Sequence, residues 1–126
     1  MALFGTSGVR GVFGKDLTLG LCRDVASSLG TILPAGARVC IANDSRTSGP
    51  AIKEAVVAGL NACGIETADL GLLPTPALAL LTREMEFETG IMITASHNPP
   101  EFNGLKLFRA DALGYSREME DQIESV

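Results

Sequence analysis

The single histidine of the chain, His97, directly follows Ser96, and both stand after the apolar run Ile91-Met92-Ile93. The loop continues Asn98-Pro99-Pro100. A hydroxyl and an imidazole delivered to the end of a strand are suited to nucleophilic or proton-transfer chemistry. Proline lacks an N–H, has a fixed φ and pushes the residue before it toward extended geometry, so this loop has few conformations. Asn103-Gly104 predicts a turn with positive φ. The chain then returns through Leu105-Lys106-Leu107, which brings the Lys106 ammonium toward Ser96.

A Ser-His hydrolase is excluded on geometry. Adjacent residues of an extended chain point to opposite sides, so His97 cannot serve as base to Ser96, and no second histidine replaces it. The Gly-x-Ser-x-Gly elbow is also absent, because Ala95 and His97 flank the serine with Thr94 and Asn98 outside them. Taken alone, the loop is equally compatible with Ser96 capping a turn and His97 in solvent.

Two further clusters lie upstream. Phe4-Gly5-Thr6-Ser7-Gly8-Val9-Arg10-Gly11 offers flexible backbone amides, the hydroxyls of Thr6 and Ser7, and the forked cation of Arg10, a combination that suits an anion. It is not a Walker A loop: Gly14-Lys15 is followed by Asp16, and Val9 occupies the position of the first glycine. Asp44-Ser45-Arg46-Thr47-Ser48 adds another arginine among small polar residues.

Strands and helices must position these groups. Leu17, Leu21, Val25 and Leu29 recur every four residues and predict a helix capped by Thr18 and ending near Gly30 or Pro34. Arg38 to Asn43 reads as a strand. Ser48-Gly49-Pro50 opens a helix that Gly64 ends, with Ser48 as its cap. Ile65 to Leu70 is a second strand, and Thr75-Pro76 repeats the cap-plus-proline signal. Thr89 to Thr94 is a strand with an apolar centre, as expected when both faces are covered. Leu105 to Phe108 is a further short strand, and Ser116 caps a last helix carrying Met119, Ile123 and Val126, inside which the chain is expected to end. The alternation predicts a single α/β domain over 1–126, three-layer α/β/α with an open, mostly parallel mixed sheet. The polar loops would gather beyond the carboxyl ends of the strands.

Composition narrows the partners. The formal net charge of −5 argues against nucleic acid, and no apolar run is long enough to span a bilayer. The N-terminus has neither a basic region nor an apolar core of signal length, so a cytoplasmic address is expected by default. Cys22, Cys40 and Cys63 lack metal-ligand spacing and read as buried, reduced core residues.

In combination the clusters carry a family signal. Thr94, Ala95, Ser96, His97, Asn98, Pro99, Asn103, Gly104 and Lys106 resemble the phosphoserine loop of the α-D-phosphohexomutases, the phosphoglucomutase/phosphomannomutase family. Phe4–Gly11 resembles the N-terminal motif of that family, and the Asp44–Gly49 loop is also similar. Thr94 before Ala95-Ser96, and Pro-Pro-Glu after Asn98, look more like the mannose/glucose branch than the glucosamine branch. The resemblance implies an enzyme that interconverts hexose 1- and 6-phosphates through a bisphosphate intermediate. Ser96 would carry the phosphoryl group, with Arg10, His97 and Lys106 as catalytic partners and Thr6, Ser7, Asn98 and Arg46 contacting substrate or phosphate. Mg²⁺ would bind partly through the Ser96 phosphate, and a hexose bisphosphate would act as activator. The metal, sugar and distal phosphate motifs of the family are missing, so the resemblance implies a first domain, inactive by itself, whose partners are a hexose phosphate and the remaining domains. Self-association through an apolar domain face near Met119, Ile123 and Val126 is also expected. The alternative is a standalone anion-binding or regulatory module without catalysis.

Overall fold

The computed structural model describes residues 8–126. Five strands form one sheet in the order β1-β5-β4-β2-β3, with β1 at Val9–Val12, β2 at Arg38–Asn43, β3 at Glu66–Leu72, β4 at Thr89–Ile93 and β5 at Phe102–Arg109. The four helices are α1 (Leu19–Ile32), α2 (Gly49–Ala62), α3 (Thr75–Glu84) and α4 (Arg117–Glu124). β2 runs parallel to both β3 and β4, whereas β5 is antiparallel to β4 and β1. The architecture is three-layer α/β/α with a parallel core and antiparallel strands on one flank.

The two faces divide the core. Val39 and Ile41 of β2, Ile91 and Ile93 of β4, and Leu105 and Leu107 of β5 pack with α1, α2 and Ile123 of α4. Cys40, Ala42, Met92 and Phe108 point the other way, onto Leu78 of α3 and Phe87. This alternation is the strand period of two, and β4 is buried at every position because helices cover both of its faces. The α1–α2 contact is close: a Cβ on Gly59 would stand 2.9 Å from the Ala26 methyl.

The caps account for the helix boundaries. Thr18 Oγ1 accepts the Leu21 N–H at 3.1 Å, and Ser116 Oγ accepts the Met119 N–H at 3.2 Å. Each is worth about 1 kcal/mol. Two expected caps are not made. Ser48 has helical backbone angles and accepts a bond from Asn103 Nδ2 at 2.8 Å instead, and Thr75 is the first residue of α3, after Pro74. Proline supplies the start signal at both helices by pre-setting φ, so the hydroxyls are not needed as caps.

Strand β1 is not anticipated by its sequence, which reads as glycine-rich loop through Gly11. Pairing with β5 overrides the weak local propensity. Cys22 and Cys40 are buried free thiols, and Cys63 is half-buried. Burial pushes the Cys22 thiol up to about 11, which keeps it protonated and inert. Tyr115 folds back on the sheet: its N–H reaches Leu107 O at 3.0 Å, and its hydroxyl shares a 2.6 Å hydrogen bond with Thr89 Oγ1. The apolar stripe of α4 is not an open patch, because Ile123 is 2% exposed and Met119 is half-buried, which leaves Val126 at 60%. Among the described residues, no helix is long and apolar enough to cross a membrane.

Candidate functional site

The loops that follow β2 and β4 meet at the carboxyl edge of the parallel core, where the Asp44 N–H donates to Ile93 O at 3.2 Å. Buried Thr94 and Ala95 follow strand β4, and the chain then turns Ser96 and His97 into solvent. Ser96 has φ +57, a left-handed backbone that costs an L-residue of order 1–2 kcal/mol. Two side chains stabilise that conformation. The Ser96 N–H donates to Thr94 Oγ1 at 3.0 Å, and the Thr94 hydroxyl donates to Asp44 Oδ2 at 2.6 Å. The carboxylate of Asp44 is therefore connected to the backbone of Ser96 through one hydroxyl.

Arg46 completes the scaffold. Its Nη1 donates to Pro99 O at 2.7 Å and Phe102 O at 3.1 Å, and its Nη2 donates to Ser96 O and Asn98 O, each at 2.9 Å. Nε donates to Asp44 Oδ2 at 3.3 Å, while Asp44 Oδ1 accepts the Arg46 N–H at 3.1 Å. A guanidinium has five donors, and all of them are engaged. Its side chain is 11% exposed. Arg46 was expected to contact substrate phosphate; in this structure its side-chain donors are instead engaged by the loop carbonyls and Asp44.

Arg10 reaches the loop from the outer strand. On β1 it faces Gly104 of β5, and Nη1 donates to Asn98 Oδ1 at 3.1 Å, which ties Asn98 to the outer strand. Its Nε is buried with no hydrogen-bond partner. Lys106 lies on the same sheet face, but its register partner is Met92, and Nζ sits 5.5 Å from the centre of the Phe108 ring. Phe108 lies toward the opposite end of β5, so this ammonium is not brought to Ser96. His97 is exposed and makes no hydrogen bond or ion pair to the described residues. Thr6 and Ser7 lie outside the described residues.

The Asn103-Gly104 turn is also corrected. Both residues lie inside β5, and Gly104 does not have positive φ. The glycine is required by close approach, since a Cβ there would collide with the carbonyl of Val9 and reach 3.0 Å from Thr94 O. The reversal occurs earlier, where Phe102 N–H donates to Pro99 O and Asn98 N–H donates to Ala95 O, both at 3.0 Å.

Asp44 and Thr94 were not singled out as site residues from sequence. A local signal existed in both: an Asp or Thr side chain bonding the N–H two residues on is a recurrent turn device. Asp44, Ser45, Arg46, Thr47, Ser96, Asn98 and Pro100 line an open cleft of about 360 Å³. Among the described residues, no group of three or more His, Cys, Asp or Glu side chains could hold a metal ion. These donors do not by themselves fit a Mg²⁺ cage.

The chain is similar to known proteins in sequence and fold. The phosphoglucomutase/phosphomannomutase α/β/α domain I model matches residues 1–126. The phosphoglucosamine mutase of Rhodococcus opacus (strain B4) is 46% identical over 129 residues, covering 98% of this chain and 29% of that protein. The phosphoglucosamine mutase of Prochlorococcus marinus subsp. pastoris is 42% identical over 125 residues, covering 99% and 28% respectively. A crystal structure from Thermus thermophilus, provisionally named a phosphomannomutase, superposes with a TM-score of 0.90 at 32% identity, covering 97% of this chain and 29% of that one. The chain thus spans less than a third of the length of these relatives. The two curated relatives are named for glucosamine and the crystal structure for mannose.

Proposed function

We propose a reading that starts from one fact: the chain belongs to the phosphoglucomutase/phosphomannomutase family, as its α/β/α domain I. On that premise Ser96 is the phosphoryl carrier of a phosphohexomutase, and the domain supplies the donor while other segments of the protein hold the sugar phosphate. The names of the relatives favour glucosamine phosphate as substrate, ahead of glucose or mannose phosphate.

The observation that carries this reading is the presentation of Ser96. It stands exposed on a left-handed backbone just beyond the carboxyl end of β4, in a loop that the Arg10 guanidinium reaches by donating to Asn98 Oδ1. A phosphoserine carries roughly −1.5 to −2 charge, so a fixed guanidinium suits it. In the forward half-reaction a sugar hydroxyl oxygen bonds to phosphorus as the bond from phosphorus to Ser96 Oγ breaks. The hydroxyl proton leaves the sugar, and Ser96 Oγ regains one. Return of the other phosphate from the hexose bisphosphate restores the carrier. Phosphoryl transfer depends mainly on position and charge stabilisation, and this loop is built for both.

Arg10 orients the phosphate and holds Asn98 in place. His97, on the loop itself, is the candidate proton carrier, and Lys106 would join it only if its side chain left the Phe108 ring. The Ser96 phosphate is a ligand this chain would offer to Mg²⁺, whose chemistry there would be that of a Lewis acid. Incubating the full-length protein with labelled glucosamine 1,6-bisphosphate should place the label on Ser96, and Ser96→Ala should abolish both labelling and turnover. Label found elsewhere, or persisting in Ser96→Ala, would overturn the assignment and leave an anion-binding module.

A further inference from the structure

We propose that Arg46 is a positioning residue for the phosphoryl carrier, fixing the orientation of Ser96 through the loop backbone without touching the phosphoryl group. The proposal rests on the carrier reading of Ser96 and deepens it.

One planar cation gathers the carbonyls of Ser96, Asn98, Pro99 and Phe102, which span the whole loop between β4 and β5. The carbonyl dipoles are turned inward to Arg46 and so away from an incoming phosphate. Asp44 balances the charge and, through Thr94, also holds the Ser96 N–H. A left-handed serine persists only where its surroundings over-determine it. Here the residue is gripped at its N–H by the Asp44–Thr94 pair and at its carbonyl by Arg46. The loop after β2 thereby sets the direction of the hydroxyl on the loop after β4.

Lysine cannot replace this arginine. An ammonium offers three donors around a point, whereas the four carbonyls and one carboxylate meet a planar fork of five. The expected effect is on the rate of transfer and not on affinity, because a misplacement of about 1 Å at the reacting group costs on the order of 100-fold.

The test uses Arg46→Lys and Arg46→Gln in the full-length protein. Ser96 labelling is followed across a range of glucosamine 1,6-bisphosphate concentrations, and amide exchange is read by NMR. The maximal labelling rate should fall about 100-fold in both variants while the half-saturating concentration stays within about threefold. Exchange at the Asn98 and Phe102 amides should quicken while β2 and β4 keep their protection. Rescue by lysine, or a raised half-saturating concentration with an unchanged maximal rate, would overturn the proposal, the latter by assigning Arg46 to phosphate binding. If the wild type is not labelled at Ser96, the carrier reading fails, and the exchange measurement still decides the clamp. Loop amides unchanged in Arg46→Lys would then refute it.

Discussion

In the loop after β2, the Arg46 side-chain donors are all engaged, and Asp44 accepts from the backbone N–H and the Nε of Arg46 and from the Thr94 hydroxyl. In the loop after β4, Ser96 and His97 stand in solvent and Ser96 holds a strained φ of +57. One loop is saturated and the other is presented. Polar residues of similar type at one sheet edge thus have opposite roles, and the distinction lies in how many donors are already occupied. Charge alone would have assigned both arginines to the same task, but Arg10 keeps an unpartnered nitrogen and Arg46 does not.

The contrast can be broken hardest at its saturated side. Asp44→Ala removes the acceptor of Thr94 and Arg46 and leaves a nearly buried cation without its carboxylate. The domain should lose about 3 kcal/mol in urea unfolding. A loss below about 0.5 kcal/mol, the scale of ordinary surface substitutions, would show that the network is ornamental to the fold. Gly104→Ala comes next, because its Cβ would meet backbone oxygens that cannot move aside. A loss of about 1–3 kcal/mol is expected by the same measurement. The smallest effect belongs to the presented loop. Ser96→Gly relieves the left-handed strain at some entropic cost and should raise stability by up to ~1 kcal/mol, whereas Ser96→Ala should not. Equal stability in the two variants would mean that the φ of Ser96 carries no strain, and the contrast would weaken accordingly.

Much of this arrangement was legible in the chain. Arg38 to Asn43, the Thr18 and Ser116 caps and the fully apolar β4 follow from local pattern, because each is set by residues a few positions apart. The return of the chain after the proline loop was also readable, although the reversal is made at Pro99 and not at Gly104. Strand β1 was not, since four residues containing two small or charged positions become a strand only when β5 is beside them. The role of Arg46 was out of reach for a related reason. Its partners lie 50 to 56 positions away and are backbone carbonyls, which carry no signature in side-chain sequence. Sequence names the groups that can bind an anion, but only the fold reveals which have already bound something else.

Tyr115 is the only tyrosine of a chain that has no tryptophan. Its phenol, half-buried against the main core and bonded to Thr89, is held above its ordinary pKa, chiefly by burial, with Glu88 acting in the same direction and the Thr89 bond against it. This domain therefore carries one phenolic chromophore, seated at the root of β4, the strand that leads into the Ser96 loop. Its ultraviolet emission and its phenolate absorbance report on the seam between β4, β5 and the segment leading into α4. Optical spectroscopy can follow that seam without a label and without altering a residue at the opposite edge.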